Sequence, residues 1–169
     1  GNPTPNYVDA DPYCEALPQE LVNDLIPIVE SRYRTYAEST DAAGLESSRE
    51  HRAIGGFSMG AVTTWYALEH TLDYFKFFMP VSADCWSLGA FAGMNRPTET
   101  AEYLAGIIRQ SPHAGTGFYI WAASGTDDSA YRETLVQVEA MAQLTDVFPL
   151  SNLTFHEKDG ARHEFRPTA

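Results

Sequence analysis

A serine flanked by glycines, at a point where an apolar segment gives way to a helical one, constrains the fold of this chain most strongly. Gly56, Ser58 and Gly60 form the pattern Gly-x-Ser-x-Gly. The apolar residues 53–57 predict a short strand, and residues 59–69 have the composition of a helix. A sharp strand-to-helix turn presents a serine to substrate, and the glycines on either side allow close backbone approach. The segment therefore predicts a serine nucleophile.

A nucleophilic serine also needs a donor for the oxyanion that develops during its attack. The backbone N–H of Met59, at the predicted helix N-terminus, is the expected donor. The alternative interpretation is that Ser58 lies in a glycine-rich turn that carries no chemistry. The strand before the serine and the helix after it favour the nucleophile, because that local structure is what the chemistry requires.

A serine nucleophile requires a base, and in this arrangement the chain order is serine, then an acid, then histidine. His51 and His70 come too early in the chain for that order. His113 lies in a loop before a later strand, and His156 falls within a strand-like alternating segment. His163 follows that segment in a loop, where open α/β sheets carry their functional groups. We therefore expect His163 to be the base.

The acid should lie in the loop after the preceding strand. Residues 118–123 predict that strand, and the following loop, residues 124–129, contains Asp127 and Asp128. The position within the loop favours Asp128, and Asp127 remains the alternative. One or both aspartates could instead cap the next helix, a role that aspartate often has.

Strand-like and helical segments alternate along the chain. The strand-like segments are residues 53–57, 75–81, 118–123 and 152–157. Apolar residues at helical spacing, from Leu17 through Leu25 and Val29 to Tyr36, predict a first helix that Pro27 should kink or restart. Residues 39–50 are polar and predict a loop. The alternation predicts a mostly parallel sheet with helices on both faces, in a single α/β domain over residues 1–169.

Composition limits the class of partner. The chain has 169 residues, a net charge of -12 and a sequence pI of about 4.6, which argues against nucleic acid and anionic membranes as partners. No apolar run approaches the roughly 18 residues that a membrane span needs. Two cysteines, Cys14 and Cys85, do not define a disulfide framework. We expect two free, partly buried thiols, with a bridge as the alternative in a secreted protein.

Three segments carry a resemblance to a known family. Residues 56–65, 78–86 and 125–131 resemble carbohydrate esterase family 1, and above all the feruloyl esterase domains attached to bacterial xylanases. The resemblance runs from about residue 17 to about residue 165. It implies an α/β-hydrolase fold and a catalytic triad of Ser58, Asp128 (with Asp127 as the alternative) and His163.

The same resemblance implies a secreted enzyme that cleaves ester-linked ferulate or acetate from feruloylated or acetylated xylan or arabinoxylan, without metal or organic cofactor. It also implies possible fusion to xylanase or carbohydrate-binding modules. Trp86 should line the substrate cleft, with a core tryptophan as the alternative, and Trp86, Phe91 and Met94 together would suit a phenolic acid. Acetylxylan esterase or another carboxylesterase is the nearer alternative. A non-catalytic carbohydrate-binding relative is the more distant one.

The chain departs from the family at three places. Ala61 stands where the family usually has a second glycine after the elbow. No His-Gly pair, the usual mark of the second oxyanion donor, precedes Ser58. The family is longer on both sides of the resemblance, and few residues follow His163. We therefore expect the C-terminal portion of a longer domain, which lacks the N-terminal strands and the closing C-terminal helix.

Overall fold

Four parallel strands form one sheet in a computed structural model that describes residues 6–115 and 117–164. The strands are β1 (Ala53–Phe57), β2 (Phe77–Val81), β3 (Tyr119–Gly125) and β4 (Leu153–Lys158), and they pair in that order. Each strand is parallel to the next, so all four carboxyl ends lie at one edge. The predicted parallel α/β sheet is confirmed.

Helices connect and flank the strands. The α-helices of the described residues are α1 (Asp11–Glu20), α2 (Ile26–Arg32), α3 (Ala42–Ser47), α4 (Met59–His70), α5 (Ala92–Asn95), α6 (Pro97–Gln110) and α7 (Tyr131–Ala142). Short 3₁₀ turns cover Tyr7–Ala10 and Arg49–His51, and a π-helical turn covers Leu21–Leu25. Helix α4 begins one residue after Ser58, as the sequence pattern predicts.

The first helix begins earlier than its apolar spacing predicts. Helix α1 starts at Asp11 with Pro12 in its first turn, and Pro18 lies inside the helix. Because proline has no N–H to donate, Pro18 removes one intrahelical hydrogen bond. A π-helical turn follows, and α2 then starts with Pro27 in its first turn. The restart predicted at Pro27 is therefore observed.

The predicted loop at residues 39–50 contains helix α3, which is a correction. The Asp41 side chain caps this helix by accepting a hydrogen bond of 2.9 Å from the Gly44 N–H. After the helix, the Arg49 side chain is buried and donates to the carbonyl oxygens of Leu72 and Phe75. Tertiary contacts therefore stabilise a segment whose sequence has no apolar period.

The main hydrophobic core lies on one face of the sheet. Ile54, Phe78, Ile120 and Leu153 share this face, and they pack with apolar residues of α4, α6 and α7. Removal of this apolar surface from water is the largest favourable contribution to folding. The opposite face carries Phe77, Met79, Tyr119 and Trp121, which remain partly exposed. Among the described residues, α4, α6 and α7 all pack on the first face, whereas the sequence predicts helices on both faces.

A second apolar cluster lies beneath the serine and joins α1 to α4. Its buried members are Cys14, Ala61, Val62, Tyr66, Ala83 and Trp86. The Tyr66 hydroxyl donates to Asp11 across 2.9 Å, which ties the first helix to α4. Cys14 and Cys85 are free thiols, as expected, and both are buried, Cys85 completely.

Among residues 6–115 and 117–164, no helix combines the length and the apolar character that crossing a bilayer requires.

Candidate active site

Ser58 occupies a strained turn between β1 and α4. Its backbone φ is 58° and its ψ is -121°. A positive φ is uncommon for a residue with a side chain and costs of order 1–3 kcal/mol. The Ser58 N–H donates to the Val81 carbonyl across 2.9 Å, and the Ser58 carbonyl accepts from the Ala61 N–H across 2.8 Å. The end of β2 and the first turn of α4 therefore hold this conformation in place.

The two glycines of the elbow differ in what surrounds them. A Cβ atom on Gly56 would lie 2.4 Å from the backbone carbonyl carbon and oxygen of Gly60, whereas a Cβ atom on Gly60 would meet nothing within 4 Å. We expect Gly56→Ala to lower the free energy of unfolding by about 2–4 kcal/mol, because backbone atoms must move. Urea unfolding followed by circular dichroism measures this loss.

Gly60→Ala is the matched control for Gly56→Ala. At a helical position, alanine is more favourable than glycine by roughly 1 kcal/mol, so this variant should be no less stable than the parent protein. Equal stability of the two variants would contradict the close approach of β1 and α4.

A chain of two hydrogen bonds joins the three residues predicted as a triad. His163 Nδ1 lies 2.7 Å from Asp128 Oδ1, and Ser58 Oγ lies 2.9 Å from His163 Nε2. An ionised carboxylate can only accept hydrogen bonds, so the proton of a neutral imidazole belongs on Nδ1. His163 Nε2 is then the acceptor of the Ser58 hydroxyl, which is the arrangement that proton removal requires.

Asp128 rather than Asp127 contacts the imidazole. Asp128 is only 6% exposed, and its Oδ1 also accepts a hydrogen bond of 2.7 Å from the Ala130 N–H. Asp127 is exposed, and its backbone N–H donates to the Ala161 carbonyl across 3.0 Å. Asp128 therefore has both the buried position and the fixed geometry that orienting a histidine requires.

Close packing between the β3 and β4 loops sets the position of His163. A Cβ atom on Gly125 would lie 2.1 Å from the Ala161 carbonyl oxygen, so only glycine permits this approach. The Thr126 N–H donates to the Lys158 carbonyl across 3.0 Å. The His163 ring also packs against Phe57, with 4.6 Å between ring centroids. Contacts on two sides therefore restrict the imidazole.

Met59 is the first residue of α4, directly after Ser58. The first N–H groups of a helix have no acceptor within the helix, and they lie at the positive end of the helix dipole. The Met59 N–H can therefore donate to a negative charge that develops beside Ser58 Oγ.

A cleft of about 320 Å³ adjoins the serine and the histidine. Its walls are largely apolar, and its lining residues are Ser58, Met59, Val62, Ser82, Ala83, Trp86, Phe91, Ser129, Ala130, Glu133 and His163. The rings of Trp86 and Phe91 pack at 4.7 Å between centroids. Met94 does not line the cleft, contrary to the expected aromatic slot. Clefts of this size suit small ligands with an apolar body.

Asp84 holds the loop that carries Trp86. Its carboxylate is fully buried and accepts hydrogen bonds of 2.7 Å from the Trp86 indole N–H and from the Met94 backbone N–H. Burial raises the pKa of Asp84 to about 6, although these hydrogen bonds oppose the rise. The sequence carried no signal for this role beyond the position of Asp84 after a strand.

Glu133 is a second residue that sequence reasoning missed. It lies on α7 and lines the cleft. Burial raises its pKa to about 7, the charges of Asp84 and Asp128 add to the rise, and His163 opposes it. Its place on an amphipathic helix predicts only an ordinary surface carboxylate, because the sequence does not show which loop packs against α7.

Histidines outside the cleft make other contacts. His113 Nε2 lies 2.7 Å from Asp73, and the His156 ring stacks on Trp121 at 5.5 Å. Within the described part of the chain, no three His, Cys, Asp or Glu side chains are grouped so that they could hold a metal ion.

Serine hydrolases of α/β fold are defined by a serine, a histidine and a buried carboxylate at the carboxyl edge of a parallel sheet. In these proteins the serine lies on a strand-to-helix elbow, as it does here. The Esterase family model, described as "Putative esterase", matches residues 2–167, and the chain belongs to this family.

Similar proteins include a xylanase and solved esterase structures. The chain is 39% identical over 165 residues to endo-1,4-beta-xylanase Y of Acetivibrio thermocellus, a match that covers 95% of this chain and 15% of the xylanase. A solved protein designated FAE is 40% identical with a TM-score of 0.81. A serine-to-alanine mutant of the feruloyl esterase module from Clostridium thermocellum, complexed with sinapinate, is 39% identical with a TM-score of 0.81.

Both of these structural matches cover 89% of this chain and 53% of the solved chain. The chain therefore spans about half the length of the solved relatives. A ferulic acid esterase that is 20% identical, with a TM-score of 0.56, shares the fold; this match covers 86% of this chain and 54% of the solved one. The predicted α/β-hydrolase fold and the resemblance to feruloyl esterase domains of xylanases are confirmed.

Proposed function

We propose that the chain is a serine carboxylic-ester hydrolase that releases ferulate, or a related hydroxycinnamate, from plant xylan. The observation that carries the proposal is the hydrogen-bonded chain from Ser58 through His163 to Asp128 beside an apolar cleft. A feruloyl esterase module that is 39% identical was solved in complex with sinapinate, and this supports a hydroxycinnamoyl group as the acyl portion of the substrate. Hydrolysis of methyl ferulate tests the proposal, and Ser58→Ala is the variant for comparison.

The reaction proceeds through an acyl-enzyme. His163 Nε2 takes the Ser58 proton while Ser58 Oγ attacks the ester carbonyl carbon, and Asp128 stabilises the imidazolium that forms. The imidazolium then gives its proton to the sugar oxygen, which leaves as an alcohol. Water, activated by His163 in the same way, attacks the acyl-enzyme and releases the carboxylic acid and the free serine.

The Met59 N–H stabilises the oxyanion in both steps. One oxyanion donor is typically worth about 10²–10³ in rate. Because the donor is a backbone group at a helix start, its direction is fixed before the substrate binds, and no reorganisation is needed during the reaction.

The apolar cleft accommodates the aromatic acyl group. The rings of the buried Trp86 and the partly exposed Phe91 form part of the cleft wall and suit a planar phenolic acid, whereas an acetyl group would leave most of the cleft unfilled. The net charge of -12 suits a neutral polysaccharide as the alcohol portion. These observations favour a hydroxycinnamoyl ester over an acetyl ester.

Replacement of Trp86 tests the acyl preference. We expect Trp86→Ala to raise KM for methyl ferulate about tenfold or more, because an aromatic contact is lost. KM for 4-nitrophenyl acetate should change less than about threefold, since acetate does not reach the indole. Trp121→Ala, which removes an indole outside the cleft, is the control. Equal increases in KM for both esters would show that Trp86 contributes only to the packing of its loop.

We further propose that residues 1–169 form the C-terminal portion of one larger α/β-hydrolase domain. Among residues 6–115 and 117–164, no strand pairs with the outer edge of β1, where Ala53 and Gly55 are exposed. This edge supports the proposal, as does the 53% coverage of the solved relatives. The likeness to a xylanase supports feruloylated or acetylated xylan as the substrate. It also supports action outside the cell, and fusion to xylanase or carbohydrate-binding modules in one longer chain.

A further inference from the structure

One carboxyl group in the cleft has no part in the proposed reaction. Glu133 lines the cleft together with Ser58 and His163. It lies four residues before Gln137, so both occupy one face of α7. Gln137 Oε1 accepts a hydrogen bond of 2.6 Å from the Cys85 N–H, which fixes this face of α7 against the loop after β2.

Glu133 has no cationic partner in the part of the chain that the structure describes. Among the described residues, Glu133 makes no hydrogen bond and no salt bridge. Its electrostatic neighbours are Asp84 from the loop after β2, Asp128 from the loop after β3 and His163 from the loop after β4. Two of these three groups are carboxylates, and Asp128 already accepts the hydrogen bond from His163.

Two arginines on or directly before α6, which packs against α7, have other partners. Arg96, between α5 and α6, forms a salt bridge with Glu99. Arg109, on α6, forms salt bridges with Glu102 and Asp146. On β4, Glu157 accepts a hydrogen bond from Tyr131 of α7. Within the described residues, no salt bridge therefore neutralises Glu133 when its carboxyl group is ionised.

We propose that the Glu133 carboxylate excludes anionic ligands from the cleft and thereby promotes release of the carboxylic acid product. The inference rests on the proposed function. A neutral ester enters the cleft without repulsion. Hydrolysis adds one water, frees the alcohol and leaves a carboxylic acid, which loses its proton to solvent. The resulting carboxylate shares the 320 Å³ cleft with Glu133, and two like charges in a partly dry site repel each other.

The pKa of Glu133 determines the pH range of this repulsion. Burial raises the pKa to about 7, so the group is ionised above that pH and largely neutral below it. A free hydroxycinnamic acid is a simple carboxylic acid and is already an anion throughout this range. The repulsion should therefore develop as pH rises through about 7.

Product inhibition measures the repulsion. The experiment determines inhibition constants of free ferulic acid and of its neutral amide against methyl ferulate hydrolysis at pH 8, for the parent protein and Glu133→Gln. We expect the acid to bind about tenfold or more weakly than the amide in the parent protein, and within about threefold of the amide in Glu133→Gln. Glu139→Gln, which removes an exposed charge from the same helix, should keep the ratio of the parent protein.

The unmodified protein supplies a second measurement. Below about pH 6, where Glu133 is mostly protonated, the acid-to-amide ratios of the parent protein and of Glu133→Gln should converge. Both are measured at the same pH, so that titration of Asp84 affects them alike. A ratio that Glu133→Gln leaves unchanged, in a protein that hydrolyses methyl ferulate, would overturn the role of Glu133 and leave the esterase function standing. Absence of methyl ferulate turnover would contradict the proposed function, and the role of Glu133 would fall with it.

Discussion

Ser58→Ala is expected to lower kcat for methyl ferulate by about 10⁵-fold or more, because the variant has no atom that can form the acyl-enzyme. The residual rate would come from the oxyanion donor and from substrate binding. Release of ferulate, followed by absorbance under saturating substrate, measures the loss. Alanine suits the position sterically, so the fold should persist, and circular dichroism verifies this.

Ser129→Ala is the matched control for Ser58→Ala. Ser129 lines the same cleft but makes no hydrogen bond with His163. Its replacement should change kcat less than about threefold, as expected of an exposed serine without a role in the reaction. Retention of most activity in Ser58→Ala would assign the hydrolysis to another residue or to a contaminant.

Asp128→Asn is expected to lower kcat by about 10⁴-fold while the protein remains folded. An amide can donate to His163 Nδ1, and this favours the imidazole tautomer with its proton on Nε2. That tautomer cannot accept the Ser58 proton. The loss should appear in kcat more than in KM, because Asp128 does not line the cleft. Steady-state kinetics with methyl ferulate separate the two parameters.

Asp127→Asn, one residue away, separates the effect of the hydrogen bond to His163 from the effect of the negative charge of the loop. It removes the same negative charge from the same loop, but Asp127 is exposed and does not contact His163. Activity should stay within about threefold of the parent protein. If Asp127→Asn causes the larger loss, the orienting acid is Asp127 and the hydrogen bond from His163 to Asp128 is not the functional one.

Local patterns in the sequence predicted the centre of the fold. Strand β1 covers residues 53–57 as predicted, and α4 begins at Met59, because glycines and a change of apolar period mark both boundaries. The sequence gives weaker evidence for the choice between Asp127 and Asp128. It depends on the packing of the β3 loop against the β4 loop, which involves Gly125 and Ala161.

Properties that depend on tertiary partners were less predictable. Apolar spacing predicted one apolar face on the first helix, but Tyr33 and Tyr36 are 69% and 71% exposed. Spacing shows that a face is apolar and does not show what covers it. Strand β3 continues to Gly125, beyond its predicted end, because Gly125 pairs with Lys158 of β4. Hydropathy alone does not give such register.

The sequential strand order bears on how the protein is made. Each strand pairs with its predecessor in the chain, so the sheet can grow in the order in which the ribosome delivers it. Ser58 follows β1, whereas His163 follows β4 and lies 105 residues further along the chain. A nascent chain therefore cannot complete the hydrogen-bonded chain from Ser58 through His163 to Asp128 until β4 has joined the sheet.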